Sequence, residues 1–225
     1  MPEIINGKRK VWNPLSRYYV EPFGEWLGTK LAKTGITPNA VTLFNTATSS
    51  LAGLLVYFGG TLNLILFALI IQWFHALDIS DGQIARLTGK KSKFGKWIDR
   101  AGDRFVMNAW MVVIGFSLYA HSGKPIFLIA TIVLFFGKYL YSFLSLTSDI
   151  DYGQQPDSLR DNVKRNPLTW IFLLFIDFDI QQHLLSLAAL ANKFDWYVLF
   201  YAVYFNLIWI AYFLYFFFRH IKTGE

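Results

Sequence analysis

Six apolar blocks, at about residues 41–59, 62–77, 105–119, 125–146, 168–191 and 196–218, divide this chain, and their length decides what it can fold into. A helix needs about 20 residues to cross a bilayer, and blocks of this size read as membrane spans. Charged residues are only 16% of the chain, against about 25% in an average soluble domain. The expected fold is all-α: an integral membrane bundle of six transmembrane helices. The second and third blocks are short for a span. Each is therefore expected to continue as helix into the polar segment between them, residues 78–104.

The basic residues support that count. Of the 21 Lys and Arg residues, all but Lys124, Lys138 and Lys193 fall in segments that six spans place on one side. These are the N-terminal segment, the link between spans two and three, the link between spans four and five, and the C-terminus. Lys124 and Lys193 occupy the opposite loops, and Lys138 lies inside the fourth span. Positive charge gathers on the cytoplasmic side, so both termini are expected there. The net charge of +6 then reads as basic loops beside an anionic membrane face, and no nucleic-acid partner is expected. There is no cysteine, which excludes disulfides and thiolate metal ligands. The polar start, MPEIINGKRKVWNP, gives no expectation of a cleavable signal peptide.

Ahead of the first span, Leu15, Tyr19, Phe23, Trp26, Leu27 and Leu31 recur at helical spacing, with Lys30 and Lys33 behind them. The pattern predicts an amphipathic helix in the interface, kinked at Pro22. Residues 1–36 are thus expected to form a cytoplasmic segment with a juxtamembrane helix, and residues 37–225 the six-span domain. Pro38 suits the first turn of the first span.

The chemistry is concentrated in HALDISDGQIARLTGKKSKFGKWIDRAGDRF. Asp78 and Asp81 are three apart at the end of the second span. Asp99 and Asp103 are four apart at the start of the third. On helices each pair shares a face, so two neighbouring helices can converge four carboxylates at the membrane boundary. Such a cluster repels itself unless cations neutralise it. Hard divalent ions suit an all-oxygen donor set, Mg²⁺ foremost. Gly82 and Ala85 leave space beside the aspartates, Arg86 brings a fixed cation suited to phosphate, and Gly95 permits a close helix approach.

Asp78, Asp81, Gly82, Ala85, Arg86, Gly95, Asp99 and Asp103 fill every fixed position of D-x2-D-G-x2-A-R-x8-G-x3-D-x3-D. In this the chain resembles the CDP-alcohol phosphotransferases, and the likeness extends to Thr37-Pro38-Asn39, Thr42 and the six-span layout. The resemblance implies a membrane enzyme of lipid synthesis. It would move a phosphatidyl-type group from a CDP-linked donor, such as CDP-diacylglycerol, to an alcohol acceptor and release CMP. It implies two Mg²⁺ or Mn²⁺ ions on Asp78, Asp81 and Asp99, with Asp103 a further ligand and the general base. Asn39, Thr42, Gly82, Ala85, Arg86 and Ser92 match positions that hold the CDP group. A homodimer and a prokaryotic cell membrane are also implied.

Other residues carry weaker signals. Lys138 inside a span is a candidate for acceptor binding. Arg160, Lys164 and Arg165 could meet a phosphate on the acceptor or serve as topology charges. His75, one turn before Asp78, reads as a buried, hydrogen-bonded histidine. Asp177 interrupts the fifth block, which is either two tilted pieces or the wall of a polar cavity.

Three other functions compete. A choline or ethanolamine phosphotransferase would move a polar alcohol onto a lipid alcohol. A membrane prenyltransferase uses separated Asp-rich motifs without the Gly-x2-Ala-Arg element. A divalent-cation transporter would line a route across the membrane with carboxylates. The charge distribution makes a direct prediction. Lys124→Cys and Lys193→Cys, in a chain with no other thiol, should both be labelled by an impermeant maleimide added outside intact cells. Protection of both would overturn the orientation.

Overall fold

In a computed structural model of the chain, residues 4–5, 8–9, 16–151 and 174–223 are described. Two two-residue strands, Ile4–Ile5 and Lys8–Arg9, pair antiparallel near the N-terminus. One turn of π-helix, Ser16–Val20, leads into the helices. These are α1 (Glu21–Ala32), α2 (Pro38–Phe58), α3 (Thr61–Thr88), α4 (Lys93–Ser122), α5 (Ile126–Asp151), α6 (Phe178–Leu190) and α7 (Phe194–Thr223). The all-α expectation holds.

Five of the described helices, α2 to α5 and α7, are long and apolar enough to cross a membrane. The fifth expected span lies partly outside the described residues, and its described part is the 13-residue α6. Asp177 lies between a helical residue at 174 and α6, and it starts α6. Its Oδ1 accepts hydrogen bonds from the backbone N–H groups of Asp179 at 3.0 Å and Ile180 at 3.3 Å. A carboxylate at this position satisfies donors that a helix leaves open at its N-terminus and suits the positive end of the helix dipole.

The two short apolar blocks do extend as helix. α3 carries on through Asp78 and Asp81 to Thr88 and ends at Gly89, whose φ of 69° is left-handed. Glycine adopts that conformation without a Cβ penalty, which makes it the usual residue just past a helix end. α2 begins at Pro38, with Thr37 as its cap. Pro22 falls in the first turn of α1. It therefore initiates that helix, where its missing N–H is no loss, and does not kink it.

The chain forms two compact units, residues 1–113 with 174–192 and residues 114–173 with 193–225. In the first, α3 is the axis, and α1, α2 and α6 each pack along it. In the second, α5 pairs with α7. Asn206 on α7 donates its Nδ2 to the Val133 carbonyl on α5 at 2.9 Å.

The juxtamembrane helix does more than lie in the interface. Tyr19 and Trp26 face outward, as an interfacial helix requires. Gly24 and Gly28, however, press α1 directly onto α3. A Cβ at Gly24 would sit 2.7 Å from Ile79 Cβ, and one at Gly28 would sit 2.7 Å from the Ser80 carbonyl oxygen. Small residues four apart allow such approach between helices. Ser80 Oγ donates to the Gly24 carbonyl at 2.9 Å, and Leu27 and Leu31 pack on Val41, Leu77 and Ile84. Gly28→Leu should therefore force α1 off α3. Overpacking of this kind costs about 1–3 kcal/mol, so its melting temperature in detergent should fall clearly. Thr29→Leu, on the exposed side of the same turn, should melt like the parent.

Candidate active site

Asp78 is presented by α3, and Asp99 and Asp103 by the first turns of α4. One carboxylate oxygen from each lies within 4.8 Å of the others, and all three side chains are half-buried. This is the convergence that the spacing predicts. Asp81 departs from it. It does not join that group of three; it is buried, at 7% exposure, against α2. There Thr42 Oγ1 lies 2.5 Å from Asp81 Oδ2 and donates to it, while also standing 3.1 Å from the Pro38 carbonyl. Asp81 stays within electrostatic reach of Asp99 and Arg86. Among the described residues, Asp78, Asp99 and Asp103 are the one group of acidic or histidine side chains spaced for an ion. Three half-buried carboxylates offer hard oxygen donors, so the residues fit Mg²⁺ or Mn²⁺.

The remaining motif positions gather around these carboxylates. Gly82 follows Asp81 on α3, and a Cβ there would meet nothing closer than Arg86 Nη1 at 3.5 Å. The space in front of it is open. Ala85 is half-buried and Arg86 exposed. Arg86 Nε donates to Gln83 Oε1 at 3.0 Å, which steadies the guanidinium one turn from the aspartates. Thr37 accepts from the Ala40 N–H at 3.3 Å and caps α2. Asn39 reaches α4: a Cβ on Gly95 would fall 2.8 Å from its Oδ1. Ser92 caps α4 by accepting from the Gly95 N–H at 2.8 Å. The motif glycine on α4 is thus where α2 and α4 touch.

Lys138 lies on α5 in the second unit, its Nζ 5.7 Å from the ring centre of Phe205 on α7, a cation–π distance. Arg160, Lys164 and Arg165 lie outside the described residues. Conversely, the sequence reading missed the frame beneath the site. Asn45 Nδ2 on α2 donates to the Phe74 carbonyl on α3 at 2.9 Å. Ser49 Oγ donates to Asn45 Oδ1 at 3.2 Å, and Trp110 Nε1 on α4 donates to the Ser49 carbonyl at 2.7 Å. The signal was a pair of polar residues four apart inside an apolar span. His75 is buried as expected, and its Nε2 lies 3.2 Å from Asp179 Oδ1 on α6.

The open space at Gly82 carries a prediction. In the free protein a larger side chain meets little, so Gly82→Leu should fold and melt like the parent. It should lose CDP binding in detergent, because the added side chain fills the space beside the carboxylates. Normal CDP binding by a folded Gly82→Leu protein would place the nucleotide elsewhere.

The geometry agrees with what the chain is similar to. The profile of the CDP-alcohol phosphatidyltransferase family matches residues 35–217. An archaetidylinositol phosphate synthase from Pyrococcus horikoshii is 33% identical over 134 residues, 60% of this chain and 62% of that protein. A phosphatidylinositol phosphate synthase from Mycobacterium marinum is 34% identical over 113 residues, 47% of this chain and 42% of that protein. A bifunctional IPC transferase and DIPP synthase from Aquifex aeolicus is 29% identical over 113 residues, covering 50% of this chain and 22% of that protein. The alignments thus span less than two thirds of the length of each of these relatives. The family match covers most of the chain and includes all eight motif positions and the spans that present them: this multi-pass membrane protein belongs to the CDP-alcohol phosphatidyltransferase family.

Proposed function

We propose that this protein transfers a phosphate-linked lipid group from a CDP-activated lipid to the hydroxyl of an alcohol, releasing CMP, at the cytoplasmic face of the cell membrane. The observation that carries the reading is the meeting of Asp78, Asp99 and Asp103 within 4.8 Å, beside an open space at Gly82. Asp78, Asp81, Asp99 and Asp103 would hold Mg²⁺ or Mn²⁺. When bound, the metal would offset the charge of the pyrophosphate and of the departing CMP. Thr42 holds Asp81 at the edge of the cluster. Arg86 offers a guanidinium to phosphate oxygens, and its planar fork matches them. Asn39, Ala85 and Ser92, around the Gly82 space, would complete the nucleotide site.

Asp103 has a different task from its neighbours. It lies one helical turn beyond Asp99 on α4, on the same face. A carboxylate there can take the proton of the acceptor hydroxyl, which is a poor nucleophile at neutral pH without a base. Two of the relatives are named for making phosphorylated inositol lipids. That supports a phosphorylated polyol of the inositol phosphate type as the acceptor. Arg160, Lys164 and Arg165 would be candidates to meet its phosphate.

The test is CMP release by the purified protein in detergent, from CDP-diacylglycerol with inositol phosphate. Turnover should need Mg²⁺ or Mn²⁺, should stop in excess EDTA, and should be poorly supported by Ca²⁺ with its looser coordination. Asp78→Asn should lose both turnover and donor affinity. Asp103→Asn should lose a factor of about 10² to 10⁴ in turnover, the usual worth of a general base, with donor affinity nearly intact. Full turnover in EDTA would refute the metal. If Asp103→Asn loses donor binding as badly as Asp78→Asn, the base assignment is wrong.

A further inference from the structure

One turn before Asp78, α3 and α6 face each other across a polar seam that none of the roles above uses. α3 contributes Gln72 and His75. α6 contributes Asp179, Gln182, His183 and Ser186, whose spacing puts all four on one helix face. Two contacts stitch the seam: His75 Nε2 to Asp179 Oδ1 at 3.2 Å, and Gln72 Nε2 to Ser186 Oγ at 2.7 Å. His75 is 2% exposed and Gln182 is 1% exposed. Yet His75 Nδ1, both amide atoms of Gln182 and His183 Nε2 are buried with no hydrogen-bond partner among the described residues. The His75 and His183 rings lie 5.7 Å apart, so these orphaned atoms cluster.

Buried polar groups are almost always hydrogen-bonded, because an unmet donor or acceptor away from water is costly. Several such groups together, on facing sides of two packed helices, mark a place built to receive a hydrogen-bonding occupant. The side chains of the seam are not among the described groups with ion spacing. Nor does the seam suit an anion, because the Asp179 carboxylate sits in it and none of its six side chains is Lys or Arg. With Nε2 engaged by Asp179, Nδ1 of His75 is left for an occupant. Gln182 brings one acceptor and two donors. Hydroxyl groups, which both donate and accept, match that set. His75 is three residues before Asp78, about 4.5 Å along the helix axis. The seam therefore begins about one turn from the carboxylates.

We infer that His75, Gln182 and His183, with Asp179 orienting His75, form a binding site for the non-reacting hydroxyls of a polyol acceptor. This rests on the proposed reading of the acceptor as a polyol phosphate. The seam would set which hydroxyl of the polyol is turned toward Asp103, and so would act on acceptor binding and choice while leaving the CDP-lipid untouched.

The experiment compares the full-length protein with Gln182→Leu and His183→Phe in detergent, using CDP-diacylglycerol and inositol 1-phosphate. Each variant should raise the KM for inositol 1-phosphate at least tenfold and leave the KM for the CDP-lipid unchanged. Inositol 1-phosphate should raise the melting temperature of the parent and not of the variants. Free Gln182→Leu should melt no lower than the parent, because leucine replaces an amide that has no partner. An unchanged acceptor KM in a variant that melts like the parent overturns the site. A rise in the CDP-lipid KM instead of the acceptor KM also overturns it, by assigning the seam to the donor. If Gln182→Leu fails to fold, His183→Phe decides by the same readings. Should the parent transfer the lipid phosphate group to other alcohols, releasing CMP, but to no polyol phosphate, the acceptor reading itself fails and takes this site with it. Transfer to the polyol by the parent with no change in either variant removes the seam alone.

Discussion

Three carboxylates held with oxygens inside 4.8 Å are the constraint around which the first unit is organised. At an effective dielectric of about 20, two like charges at that distance repel by about 3.5 kcal/mol. The helices that carry them must therefore be held together by something else. The frame lies in the apolar depth below. Asn45 joins α2 to the Phe74 carbonyl of α3, and Trp110 joins α4 to the Ser49 carbonyl of α2. The Trp110 ring then meets Phe67 and Phe74 of α3 edge-on, at 5.3 and 5.5 Å. Side-chain hydrogen bonds between helices in a membrane are each worth about 0.6–2 kcal/mol, and the aromatic contacts add to them.

 The geometry of an aromatic edge against a ring face supports this packing. The meeting of the carboxylates at the ends of α3 and α4 thus depends on polar and aromatic contacts made one to several turns deeper.

α3 supplies most of this because each of its faces is committed to a different neighbour. Ile79 and Ser80 take α1, through Gly24 and Gly28. Leu77, Asp81 and Ile84 turn to α2, through Val41 and Thr42. Gln72 and His75 turn to α6. What is left at the end of the helix, Asp78 and Gly82, faces the open site. A small rotation of α3 would disturb all four faces at once. The rotation that best buries its apolar residues is also the one that presents Asp78, so packing fixes the chemistry.

What could be read in advance was local. A helix repeats every 3.6 residues, so the spacing of Asp78 to Asp81 and of Asp99 to Asp103 defines shared faces without any knowledge of the fold. Sharing a face does not name a partner, however. Asp81 is displaced around α3 from Asp78 by enough to meet Thr42, and only the packing of α2 shows it. The pairing of His75 with Asp179 joins residues more than a hundred positions apart, and nothing near either one signals the other. Gly24 and Gly28 were legible as small residues four apart. The aromatic and basic residues around them gave a stronger interfacial pattern, and that pattern described only the outer side of α1. Asp177 was readable as a helix cap, since an aspartate just before a helical run is a common start signal. Its place inside an apolar block made it look like an interruption.

The position of the site at a helix boundary follows from how α3 joins α4. Only Gly89 to Ser92 separate the two helices, and so short a link makes them antiparallel neighbours. Small residues then bring the start of α4 against α2: Gly95 beneath Asn39, and Gly102 against Thr46. A side chain at these glycines would have to displace Asn39 and Ser92, or Thr46, and a bulky one would push the first turns of α4, with Asp99 and Asp103, off α2. The motif glycine therefore serves the carboxylates at one remove, by setting the distance between the helices that carry them. Polar groups that must meet water and ions stay at the helix ends, where solvent reaches. Deeper in the same unit, the hydrogen-bonding capacity of α3 is turned inward, toward α2 and α6, as an apolar surrounding requires.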